Sequence, residues 1–69
     1  MRIHLTDNEA LVLFELLYRI NKEELFVHQA ERCVLWSMEA QLEKELTAPH
    51  SDKYLEFLHE AREQVVKNY

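Results

Sequence analysis

The side chains of this 69-residue chain that could do chemistry are four histidines, one cysteine, a few hydroxyls and a surplus of carboxylates. In "HEARE", His59 and Glu63 stand one helical turn apart. A helical zinc-protease signature needs a second histidine where Glu63 stands, so the motif fails. Two ligands on one turn hold a metal only weakly, no third or fourth is evident, and a metal site is not expected. His28 with Glu24 or Glu31 reads the same way, as a helix-surface pair of small value. Nucleophilic catalysis needs an activated Cys or Ser beside a base. Cys33 and Ser37 fall on a line of small residues away from any evident histidine, and Ser51 reads as a helix cap. The acidic residues form no isolated inward-facing pair for acid–base work. Without a single glycine there is no phosphate-binding loop. No catalytic residue, cofactor or metal is expected, and the chain does not read as an enzyme.

Charge narrows the partners. Thirteen acidic against eight basic residues give a net charge of -5. Residues 23–46 hold six Glu against Arg32 and Lys44, so most of the imbalance sits there. A protein that grips nucleic acid must neutralise phosphate with positive charge. This chain has no basic patch, and direct nucleic-acid binding is disfavoured. The stretch "TAPHSD" could be taken for the turn of a helix-turn-helix, but the helix after it is mostly acidic where DNA-binding versions present basic and amide residues. An acidic surface suits a basic protein partner; the plainer reading is a solvated face that aids solubility. No apolar run is long enough to span a membrane, and the N-terminus does not read as a signal peptide. With a lone thiol, a cytoplasmic location is expected.

The elements that must position these residues are helices. Glycine is absent and Pro49 is the only proline, so the turn residues that hairpins need are missing. Strong helix formers dominate. The expected fold is all-α, a compact three-helix bundle with a short extended N-terminal lead-in, forming one domain over residues 1–69. Arg2 to Leu5 alternate polar and apolar, which is a lead-in or, less simply, an edge strand for another subunit. Thr6 and Glu9 have the capping-box spacing, with Leu5 and Ala10 placed as a hydrophobic staple and Asp7 at the positive end of the helix dipole. Helix 1 is predicted over 7–21, with Asn21 ending it in a left-handed conformation. Helix 2 is predicted over 25–46. Pro49 breaks the chain by pushing Ala48 out of helical space. Ser51 is the predicted cap of helix 3, over 52–68.

The faces of these helices carry the functional expectation. Eight of the eleven residues in "ALVLFELLYRI" (10–20) are large and apolar. Each residue advances about 100°, which leaves only a narrow polar strip of Asn8, Glu15, Arg19 and Lys22. Helix 1 therefore needs cover on most sides. On helix 2, Ala30, Cys33, Ser37 and Ala40 form a line of small residues that would admit the bulk of helix 1, with Cys33 a small buried hydrophobe. Trp36 lies at the edge of the polar face; it either folds over Cys33 and Ala40 or stands exposed as a binding hot spot. Helix 3 has a single stripe of Tyr54, Leu58, Ala61, Val65 and Tyr69, widened by Leu55 and Phe57.

A 69-residue chain buries only about 60% of its unfolded surface, and a lone cysteine excludes an internal disulfide. The expectation is a small protein–protein interaction module (an adaptor, regulator or inhibitor) that binds a protein partner or self-associates as a homodimer. The candidate contact residues are Leu11, Val12, Leu16, Tyr18, Ile20 and Trp36. One concrete form is an acidic neutraliser of a basic toxin or nuclease, an analogy of size, charge and helicity alone. The alternatives are a purely structural homo-oligomer and a small DNA-associated regulator.

Overall fold

The computed structural model describes residues 2–47 and 50–69. It contains three helices, α1 (Asp7–Lys22), α2 (Gln29–Glu45) and α3 (Tyr54–Lys67), and no strand among the described residues. The chain is an all-α three-helix bundle. Residues 2–5 form an exposed lead-in.

The start of α1 follows its sequence signal. The Thr6 backbone N–H donates to Glu9 Oε1 at 2.9 Å, and the Glu9 N–H donates to Thr6 Oγ1 at 3.1 Å. Two backbone donors that a helix start leaves free are thereby satisfied.

Its end corrects the expectation for Asn21. The helix continues to Lys22, and the left-handed residue is Glu24, with φ of 54°. The Leu25 N–H donates to the Ile20 carbonyl at 3.0 Å and the Glu24 N–H to that of Asn21 at 3.3 Å. These are the two bonds of a Schellman motif, with Glu24 where glycine is usual.

The predicted start of α2 at residue 25 is also corrected: the helix begins at Gln29. His28 is the cap, its Nδ1 accepting from the Ala30 N–H at 2.9 Å. Glu31 Oε1 reaches back to the N–H groups of Val27 at 2.7 Å and His28 at 3.4 Å. The residues from Glu23 to His28 are thus a connector shaped by two caps. α3 begins at Tyr54, two residues later than predicted, because Ser51 does not cap it. The Ser51 hydroxyl accepts from the Lys53 N–H at 3.1 Å, a local turn ahead of the helix. The expected effect of Pro49 on Ala48 lies outside the described residues.

Helix α1 is the centre, packed by α2 on one side and α3 on the other. Both run antiparallel to it. Asn21 Nδ2 donates to Glu39 at 3.5 Å at one end of the α1–α2 pair, and Ala10 meets Leu42 and Leu46 at the other. Tyr54 Oη donates to Glu15 Oε1 at 3.1 Å, and Tyr69 Oη donates to Glu9 Oε2 at 2.7 Å. The core cluster is Leu11, Phe14, Leu46, Leu58 and Ala61, with Val12, Leu42 and Tyr54 half-buried against it.

The stripe expected of α3 packs largely as predicted, with Leu58 2% and Ala61 1% exposed; Leu55 and Tyr69 stand out in solvent. The face expected of α2 does not pack. Ala30, Cys33, Ser37 and Ala40 are all exposed, and Cys33 is a free surface thiol. Leu35, Met38 and Leu42 turn toward α1 instead, ending on buried Leu46. The reason is size. A line of small residues removes little apolar surface from water, whereas the Leu–Met–Leu–Leu side buries far more.

Candidate interaction surface

The two-cap connector sets the shape of a strongly apolar concavity. Its Schellman geometry turns Leu25 back onto Ile20, the contact that accompanies this motif. Phe26 follows, and His28 then starts α2 so that Ala30, Val34 and Leu35 line the opposite wall. The result is a groove of about 460 Å³ between the end of α1 and the start of α2. That volume falls within the range of small-molecule sites, but here the cavity is open to solvent. Its one charged lining residue, Glu31, is engaged with backbone donors of its own helix cap. In its lining, Leu25 is 64% and Val34 58% exposed, and Val27 of the connector is 94% exposed.

On α2, a second apolar feature stands outside the groove. The Arg32 guanidinium lies 4.3 Å from the centre of the Trp36 ring and 5.8 Å from that of Phe26. Stacking on aromatic faces is favoured for Arg, at about 0.5–1 kcal/mol at exposed sites. Trp36 is 51% exposed, so it covers neither Cys33 nor Ala40, which are themselves exposed.

The six candidate contact residues do not form one patch. Leu11 is buried in the core and unavailable to a partner, and Val12 is half-buried against the core. Leu16 and Tyr18 are exposed on α1, Ile20 lines the groove, and Trp36 stands on α2. The structure sets Leu25, Phe26 and Val34 in the groove lining beside Ile20, positions that fall within the span predicted for helix 2. The signal that could have found them is the pair His28 and Glu31, a cap with the capping-box spacing. That cap would have left "LFV" outside the helix as an apolar connector.

A more polar crevice runs between Phe14, Glu15 and Tyr18 of α1, Glu39 and Glu43 of α2, and Tyr54 of α3. Burial, and then the neighbouring Glu15 carboxylate, push the Tyr54 phenol up to about 12. At the far end of α3, Glu9 is held below the usual carboxylate value by the Thr6 backbone N–H and then the Tyr69 hydroxyl. The same bond raises Tyr69. His59 Nε2 and Glu63 Oε1 pair at 3.0 Å, both largely exposed, as surface pairs of little energetic weight do. No group of three or more potential metal ligands converges among the described residues. None of the helices is long and apolar enough to cross a membrane. Compared with known proteins, the chain matches no family model, no curated protein and no solved structure.

Proposed function

We propose that this protein is a small protein–protein interaction module, a binder and not an enzyme, acting through helical surfaces. The observation that supports the reading is the open apolar groove at the α1–α2 junction, lined by exposed Leu25 and Val34. Contiguous exposed apolar surface of this kind marks contact sites. Trp36, stacked under Arg32, is a second anchor of a type enriched at hot spots. The net charge of -5 favours protein over nucleic acid as the partner, and the free thiol of Cys33 suits a reducing, cytoplasmic setting.

The test is capture by the immobilised full chain, run in parallel with Val34→Glu and Trp36→Ala. A protein, copies of this chain included, should be retained by the unaltered chain and lost from Val34→Glu, with a smaller loss for Trp36→Ala. Equal retention on all three would defeat the reading. The second reading, a structural homo-oligomer, is favoured by the large accessible surface of the single chain.

A further inference from the structure

We infer that the α1–α2 groove is closed by a second copy of this chain, in a symmetric pair. The inference rests on the reading of this face as an interface and adds which molecule covers it. The chain exposes 5751 Å² for a mass of 8.4 kDa. A folded monomer of that mass is expected to expose about 4600 Å². The excess, about 1100 Å², is on the scale of the roughly 800 Å² that each partner contributes to a stable interface. The exposed lead-in supplies part of the excess, and α2, with no buried residue in its span, supplies more. The radius of gyration, 12.5 Å, likewise exceeds the roughly 11 Å expected for a compact chain of this length.

A second copy fits because the face is complementary to itself. A two-fold contact uses the same patch on both molecules, so one patch must carry both projections and a hollow. Here Leu25 and Val34 project beside the hollow lined by Ile20, Phe26 and Leu35. The only charge in the lining, Glu31, is already bonded to the Val27 and His28 N–H groups. The need is also constant. Among the described residues six apolar ones are buried, and a domain this small with so thin a core gains stability from association. A copy of the chain is present whenever the chain is, and binding by copies stabilises the fold by mass action.

Sedimentation equilibrium of the full chain tests this over about 1–200 µM, where a pair held by one interface of this size dissociates. The expected mass is twice the 8.4 kDa of one chain, with a Tm that rises with concentration. Both copies are acidic, so added salt should tighten the pair by screening their repulsion. Leu25→Asp and Val34→Glu, both in the groove lining, set like charges across the axis and should weaken pairing by more than about a hundredfold. If pairing is needed for folding, helicity falls in these two variants together with mass. Leu55→Glu, exposed on α3, should keep both.

A one-chain mass with full helicity at the highest concentration overturns the inference. So does a pair that survives both groove variants, or one that loosens as salt rises. Binding of anilinonaphthalene sulfonate separates this failure from that of the interface reading. A monomer that binds the dye, and loses it in Val34→Glu, overturns only the second copy as occupant. A monomer that binds none overturns both.

Discussion

Helices α2 and α3 lie on the same central helix, yet they hold it differently. α3 has Leu58 and Ala61 almost fully buried, whereas α2, although longer, buries no residue within its span. The contrast follows from how apolar residues are spread. In α3 the positions 54, 58, 61 and 65 keep to one stripe, so docking that stripe satisfies most of the helix. In α2 the large apolar residues Val34, Met38, Leu42 and Leu35 spread over about 100° of the helix, and Trp36 stands about 100° further round. Any docking of α2 leaves some of them in water, and the ones left are those at the groove and beside Arg32. The comparison breaks most directly by truncation. Leu58→Ala should cost about 2–5 kcal/mol in urea unfolding, as fully buried leucines do. Leu35→Ala, half-buried, should cost about 1 kcal/mol or less, scaled by the smaller area it removes from water. Equal losses would show that α2 is held as firmly as α3.

The same contrast sets what the sequence could reveal. The stripe of α3, the cap of α1 and the all-helical class follow from periodicity and from Thr6 and Glu9, signals that are local. The docking face of α2 was not legible in the same way. Two faces competed, one of small residues and one of Leu35, Met38 and Leu42, and only the tertiary contact with Ala10 and Asn21 decides between them. The connector was missed because Lys22, Glu23 and Glu24 are helix formers, and a Schellman turn usually announces itself with glycine. Of the candidate contacts, Ile20 and Trp36 could be placed from the sequence as apolar positions short of cover. Val27 and Val34 could not, since their exposure depends on where α2 begins and which way it faces.

Caps offer a finer version of the comparison, since α1 and α2 each start with a box but with different residues. Thr6→Ala removes an acceptor for the Glu9 N–H and should cost about 1 kcal/mol. His28→Ala removes the acceptor for the Ala30 N–H and also frees the connector that shapes the groove. Its stability cost should be similar or smaller, because α2 is the less firmly held helix. Its distinctive effect should be faster amide exchange at Ala30 and Glu31, with α3 unchanged. Exchange that quickens equally in α3 would mean that the two helices unfold as one unit.

The next effect is a gain. Glu24 holds a left-handed backbone at φ of 54°, which costs a non-glycine residue on the order of 1 kcal/mol. Glu24→Gly relieves that strain while adding freedom to the unfolded chain. The net should be a stabilisation of about 0.5 kcal/mol, or a few degrees in Tm for a domain of this size. A lower Tm would show that the Glu24 side chain contributes more to the α1–α2 connection than its exposed position suggests.

The smallest effect separates the two ends of the α1–α3 contact by pH. Both α1–α3 side-chain bonds run from a tyrosine hydroxyl to a glutamate, Tyr54 to Glu15 and Tyr69 to Glu9. Glu9 titrates below its ordinary 4.5 in the fold. Its contribution is therefore present above that value and is lost as pH falls through the lowered one. Tyr54 titrates at about 12 against an ordinary 10.0. Its neutral form is the one the fold favours, so that contribution is complete below pH 10 and is lost as pH rises toward 12. Urea midpoints should accordingly decline at both ends of the pH range. Tyr54→Phe should make the alkaline decline shallower and leave the acid limb in place, whereas Tyr69→Phe should make the acid decline shallower and, because the same bond raises Tyr69, also soften the alkaline one. Because Glu9 is exposed, the acid change should be slight and weaken further in salt. Identical limbs in the parent and both variants would remove these bonds from the account of what holds α3, and leave Leu58 and Ala61 to hold it alone.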